Sequence, residues 1–312
     1  MGLLIDVVLP VFLIIGFGYA AARAKLLSET AIDGLMRFSQ NFAIPCLLFR
    51  SISDLDLSTA FDIGLLLSFY IGAFTCFAAG FFATTRLFQR PPEEGIAIGF
   101  ACMFSNSLLL GLSITERAYG TKALTGNYMI IAMHSPMFYA FGIALMEWVR
   151  SRGQGLSGAA MGQKVTKAIF SQPLVIGITA GLIVNLSGLT LPISIAAAAD
   201  MMGRAGLPAA LFGLGGILLR YKPEGDKALI ALVCAITLLL HPTLTYVLAR
   251  FVFGVGTAGL RSATVTAAMP PGVNAYLFAH LYATGRRVNA SAILIATGLS
   301  IFTAWIWLQI LP

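Results

Sequence analysis

Met269-Pro270-Pro271-Gly272-Val273-Asn274 stands in the middle of an otherwise apolar run, 259–283. Two consecutive prolines remove two amide donors, and Pro271 disfavours helical dihedrals at Pro270. A regular helix through these residues is not expected. Yet the run is long enough to cross a bilayer, whose hydrocarbon core of about 30 Å needs roughly 20 apolar residues. In lipid, unwound backbone is tolerated only where it is buried in protein or lines a watery cavity. A second stretch, Ser105-Asn106-Ser107-Leu108-Leu109-Leu110-Gly111, lies in the apolar run 95–119. Its Asn and Ser side chains can satisfy backbone groups that an unwound turn exposes, and Gly111 tolerates unusual dihedrals. The plainer alternative is a kinked packing helix, and it weighs more for this stretch, which has no proline.

Composition sets the medium around these runs. Of 312 residues, 58% are hydrophobic and 11% charged, with mean hydropathy +0.87. A soluble domain carries about a quarter charged residues, so much of this surface must face lipid. Apolar runs between polar breaks fall at roughly 4–22, 31–50, 61–85, 95–119, 124–148, 169–187, 193–219, 227–250, 259–283 and 289–311. The expected fold is an all-α polytopic membrane protein of ten transmembrane helices. No Lys or Arg precedes the first run, which argues against an ordinary signal peptide.

Cationic residues orient these spans. With the N-terminus outside, the inside group holds Arg23, Lys25, Arg37, Arg86, Arg90, Arg150, Arg152, Lys164, Lys167, Arg220, Lys222, Lys227, Arg286 and Arg287. The outside group holds Arg50, Arg117, Lys122, Arg250 and Arg261. Both termini are therefore expected outside the membrane. Topology also explains most of the net charge of +7, and no nucleic-acid partner is expected.

Five runs precede the polar stretch 149–168 and five follow it, so the halves should lie in the membrane with opposite orientation. A constant offset pairs Pro10 with Pro173, Gly18 with Gly181, Pro45 with Pro208, and Tyr119 with Tyr282. The expected domains are a first five-helix repeat over 1–148, a cytoplasmic linker over 149–168, and a second, inverted repeat over 169–312. Inverted repeats place substrate where discontinuous helices meet, here helices four and nine. Half-helix N-termini there offer amides and partial positive charge to an anion.

Asn106 through Gly120, with Pro45-Cys46-Leu47-Leu48-Phe49, Pro208-Ala209-Ala210-Leu211-Phe212 and Ala268 through Tyr282, resembles the auxin efflux carrier family over nearly the whole chain. The resemblance implies a five-plus-five inverted fold with a scaffold of helices 1, 2, 6 and 7 that commonly dimerises. Helices 3–5 and 8–10 would form a transport domain with elevator-like alternating access. Members carry small organic anions, auxin in plants and dicarboxylates such as malate or malonate in bacterial relatives. By residue match, Asn106 and the segment Pro270, Pro271, Gly272, Val273 and Asn274 inherit the substrate-site role. Ser113 departs from the family's usual proline, which implies a softer kink. The long hydrophilic loop of plant relatives is absent.

Ser105, Ser107, Gly111 and His134 complete the expected substrate site, His134 because an ionisable residue at membrane depth is a functional candidate. A neutral histidine making one interhelical hydrogen bond is the equal alternative. For His241 a structural role is favoured, and His280 is read as interfacial. Asp200 and Arg204 share a helical face and can pair, and the repeat offset that matches Arg37 with Asp200 allows a cross-repeat Asp/Arg network. Gly213-Leu214-Gly215-Gly216 is better explained by close helix packing than by nucleotide binding.

The chain has no Walker A loop or HExxH, and its four cysteines share no metal-ligand spacing, so no cofactor or metal is expected. A rhomboid-type serine protease is a weak rival, because Ser157 of Gly155-Leu156-Ser157-Gly158 sits in a polar linker. A membrane sensor with a carrier fold is the second rival. The expectation is a carrier of a small organic anion in a lipid bilayer, not an enzyme.

Overall fold

The computed structural model describes residues 2–55, 62–151, 162–163, 166 and 172–312. Most of the expected linker, 149–168, and Ser157 with it, lies outside the described residues. The α-helices are α1 (Leu9–Arg23), α2 (Glu29–Phe38), α3 (Ile44–Ser53), α4 (Ile63–Phe82), α5 (Pro92–Met103), α6 (Leu112–Tyr119) and α7 (Thr125–Arg150). They continue as α8 (Pro173–Ser187), α9 (Ile193–Arg220), α10 (Lys227–Ala235), α11 (His241–Val247), α12 (Thr257–Ala267), α13 (Val273–Leu281) and α14 (Arg286–Ile310).

Among the described residues, six helices are long and apolar enough to cross a membrane: Leu4–Arg23, Ile63–Leu87, Thr121–Arg150, Ile193–Arg220, Lys227–Val252 and Arg286–Ile310. This corrects the expectation of ten spans in a five-plus-five inverted repeat. The reason is physical. Averaged hydropathy counts apolar length but does not register where backbone hydrogen bonding stops. The run 95–119 divides into α5 and α6, of 12 and 8 residues. The run 259–283 divides into α12 and α13, of 11 and 9 residues. At 1.5 Å per residue these pieces are about 12–18 Å long, half of the hydrocarbon thickness. In the run 31–50, α2 and α3 are joined through a π turn, Ser39–Ala43, and α8 has 15 residues.

Helix starts are fixed by local chemistry. Ser28 accepts from the amide of Ala31 at 3.1 Å, and Asp62 from that of Leu65 at 3.1 Å. Asp226 accepts from Ala228 at 3.0 Å and Leu229 at 3.3 Å. Each satisfies a donor that a helix N-terminus leaves open.

Two compact units divide the chain. One comprises Leu9–Phe61 and Lys167–Arg220. Its core is backbone against backbone. A methyl group at Gly18 would fall on the carbonyl of Phe212, and one at Gly215 on the carbonyl of Ile15. A methyl group at Gly177 would lie 2.6 Å from the carbonyl oxygen of Pro45, and one at Gly181 2.6 Å from that of Phe49. So α1 meets α9, and α8 meets α3, at separations that only glycine permits. Within this unit Arg50 Nε donates to Asp200 Oδ1 at 3.0 Å, and its guanidinium also reaches Asp54 at 2.8 Å. The anticipated Asp200–Arg204 pair is thereby corrected. Asp200 is taken instead by a guanidinium from α3, against which α9 packs in this unit. Arg204 is exposed on α9.

The other unit comprises Met1–Val8, Asp62–Thr166 and Tyr221–Pro312. Here α4 lies against α5, where Gly99 faces the ring and carbonyl of Phe77. Phe100 of α5 stacks on Phe278 of α13 with centroids 4.1 Å apart and planes within 6°. All three cysteines of this unit, Cys76, Cys102 and Cys234, are buried free thiols. Both interrupted runs belong to this unit.

Candidate functional site

Where α5 ends at Met103 and α12 at Ala267, two short extended segments lie antiparallel. The amide of Asn106 donates to the carbonyl of Pro270 at 2.8 Å, and the amide of Gly272 to the carbonyl of Phe104 at 2.8 Å. Ser105 and Pro271 face each other in this two-bond bridge. A buried unwound backbone must pair its polar groups. The two interruptions do this for each other, and Pro270, with no amide to give, contributes its carbonyl.

Backbone geometry locates the break. Phe104 (ψ 79°) and Asn106 (ψ 59°) leave the helical region. Gly111, which can tolerate unusual dihedrals, has ordinary helical ones, φ −59° and ψ −51°. Asn106 instead opens a π turn, Ser107–Gly111: its carbonyl accepts from Gly111 at 3.1 Å and its side-chain Oδ1 from Leu109 at 3.4 Å. Gly272 is extended (φ −72°, ψ 157°), and a methyl group there would touch the Phe104 ring at 3.4 Å, ordinary contact.

Ser105, Asn106, Ser107, Pro270, Pro271 and Gly272 thus meet in one buried place. Ser105 Oγ and Ser107 Oγ are 3.0 Å apart. His134, from α7, is also buried; its Nε2 and Nδ1 lie 3.3 and 3.4 Å from Ser107 Oγ. At such distances to both nitrogens the hydroxyl faces the ring edge between them, a weak contact. Phe104 and Phe138 wall the imidazole, each with ring centroids 4.6 Å away. Val273 and Asn274 open α13 and are half-buried, and Tyr139 of α7 reaches Asn274 Oδ1 at 3.4 Å. His241 is buried 5.1 Å from the Phe69 ring, and His280 is exposed.

The segments 103–111 and 267–275 hold no charged residue. Charge at the crossing therefore comes from the helices themselves. The π turn leading into α6 and the start of α13 present N-termini, each worth about half a positive charge. Amides at such termini bind anions. The C-terminal ends of α5 and α12 bring carbonyls, the opposite sign, to the same region.

Sequence reading missed Asn127. This fully buried amide on α7 donates to Thr115 Oγ1 on α6 at 3.1 Å and to Thr266 Oγ1 on α12 at 2.9 Å. It ties together three helices around the crossing. The signal was available, since an amide inside the apolar run 124–148 must find partners. Asn127→Ala leaves two buried hydroxyls short of a donor and is expected to cost about 1–3 kcal/mol. Thermal unfolding of the purified chain measures this as a Tm several degrees lower. An unchanged Tm removes the tie.

Residues 3–308 match the family model described as "Membrane transport protein". A Rhizobium meliloti (strain 1021) protein described, provisionally, as a malonate transporter is 24% identical over 296 residues, covering 95% of this chain and 92% of its own. The uncharacterized transporter YfdV of Escherichia coli (strain K12) is 22% identical over 306 residues, 97% of this chain and 96% of its own. The lysosomal cholesterol signaling protein of Mus musculus is 30% identical over 158 residues, 48% of this chain and 18% of its own.

Proposed function

We propose, from the premise that the chain belongs to the membrane transport protein family, that it is a secondary carrier of a small organic anion bound at the crossing of the interrupted helices. It is a multi-pass membrane protein and not an enzyme, and the two relatives that match nearly its whole length are described as transporters, one of them provisionally. The observation that carries the substrate assignment is the Ser105–Pro271 bridge. It sets two helix N-termini side by side where the two segments carry no charged side chain. An anion can be held there by amides and dipoles, while a cationic substrate would lack a carboxylate to pair with.

In this reading Ser105, Asn106 and Ser107 face the anion from one segment, and Pro270, Pro271, Gly272, Val273 and Asn274 from the other. Gly111 closes the turn and His134 lines the wall. The relative described as a malonate transporter favours a dicarboxylate over an auxin-like indole acid. Transport by an elevator-type motion fits a chain whose crossing, π turn and aromatic core belong to one compact unit. That unit then moves as a body. The other unit, glycine-packed, serves as the scaffold and as the contact of a homodimer in a bacterial inner membrane, with both termini outside.

The test is uptake of labelled malonate, malate and indole-acetate into proteoliposomes of the purified chain, with and without an imposed potential. A potential of 100 mV contributes about 2.3 kcal/mol per charge, so a carried dianion should respond about twice as steeply as a monoanion. Saturable, potential-sensitive flux is expected. The likeness to a signaling protein across 48% of the chain favours a second reading, a ligand sensor. Saturable binding of the same anions with no flux would select it.

A further inference from the structure

We propose that the unit holding the crossing also carries a binding groove for an anionic phospholipid, between the span Lys227–Val252 and α14. The groove encloses about 630 Å³ and is walled by Ile230, Cys234, Leu238, Ile295, Leu299 and Phe302. It opens outward, for Leu239, Leu299 and Phe302 on its walls are 58%, 47% and 58% exposed. Lys227 and Gly225 stand at one end. Gly225 also borders a polar hollow formed with Arg90, Glu94, Asp226, Arg286 and Arg287. An apolar slot thus runs into a charged mouth.

Its length is informative. From Lys227 to Leu239 the helical rise spans about 18 Å. That is close to one leaflet of a hydrocarbon core about 30 Å thick. A slot one leaflet deep, charged at a single end, suits an acyl chain with its headgroup attached and does not suit a small free solute.

The sign of the headgroup follows from the mouth. Arg90 pairs with Asp226 at 3.3 Å and Arg287 with Glu224 at 3.9 Å. Among the described residues, Lys227 and Arg286 have no ion-pair partner, against one carboxylate outside these pairs, Glu94. Lys227 is the first residue of α10, and Arg286 and Arg287 are the first two of α14. Cations at helix N-termini oppose the helix dipole. Asp226 already caps α10, and the two cations left without an ion pair at this mouth, Lys227 and Arg286, are relieved by a phosphate that brings no cation of its own. Basic pockets between membrane helices recognise anionic headgroups in this way.

The test is lipid retention by the purified full chain in detergent, after exchange into an equimolar mixture of dioleoyl phosphatidylglycerol and dioleoyl phosphatidylcholine. Retained lipid is counted by native mass spectrometry, with Tm recorded for each variant. The wild type should retain phosphatidylglycerol in preference, by about fivefold or more. Lys227→Gln with Arg286→Gln, both at exposed positions, should abolish the preference while keeping total retention. Leu299→Trp, which fills the groove, should lower retention of both lipids. Equal retention by the wild type, or a preference untouched by the double Gln variant, overturns the proposal. So does a Leu299→Trp chain whose lipid is unchanged but whose oligomeric state shifts in light scattering, since a second copy then covers the groove. No flux is measured, so the outcome is independent of the carrier assignment.

Discussion

Asn106→Ala is expected to lower saturable anion uptake by at least about tenfold, the loss of one hydrogen bond to a charged ligand, while the chain stays folded. The fold survives because the structural bonds of Asn106 are made by its backbone. Its amide donates to Pro270 and its carbonyl accepts from Gly111, and alanine keeps both. Only the side-chain cap on Leu109, long at 3.4 Å, is lost, at about 1 kcal/mol or less. Asn106→Ser separates the two roles, because serine caps well but lacks the amide. Uptake lost in both variants supports contact with the anion. Uptake lost in the alanine variant and restored by serine would mean that the cap, not substrate contact, is what matters.

Gly18→Ala should be the most damaging methyl group in the glycine-packed unit, costing about 3 kcal/mol or more. The added carbon falls on the carbonyl of Phe212. Backbone of one helix cannot step aside as the tip of a side chain can, so α1 and α9 must separate along their contact. Gly215→Ala meets the carbonyl of Ile15 from the facing side and should behave alike. Gly16→Ala is the control. It lies on the same helix with nothing within 4 Å of the added carbon, and the gain in helix propensity is up to about 1 kcal/mol. Thermal unfolding in one detergent ranks the three. At about 2–4 °C per kcal/mol, Gly18→Ala should unfold roughly 10 °C early and Gly16→Ala at or above the wild type. Equal behaviour of the two would show that α1 and α9 are not held by this contact.

How much of this was legible depends on whether cause and effect are neighbours in the chain. The helix stop at Pro270-Pro271 is written where it happens, because a proline ring removes its own amide. The polar trio Ser105, Asn106 and Ser107 signals its turn in the same local way. Membrane spans were overcounted because apolar length and helical continuity are different properties, and only the first is additive along a sequence. The Arg50–Asp200 pair joins residues 150 apart, and Asn127 reaches Thr266 across 139. Nothing local distinguishes Arg50 from Arg204 as the partner of Asp200; the choice is made by which helices touch. Gly111 is the reverse case. A residue able to take rare dihedrals does not use that freedom, while the bend is made by Phe104 and Asn106.

The bridge at Ser105 and Pro271 is built from peptide groups, which every residue possesses. A grip of this kind is insensitive to the identity of the side chains that frame it. In the proposed carrier, selectivity is set by the surrounding walls, Phe104, Phe138, Tyr139 and Asn274, while the bridge that joins the two segments stays as it is. Under that proposal, carriers of different cargo share one clasp and differ only in the shape of the palm around it.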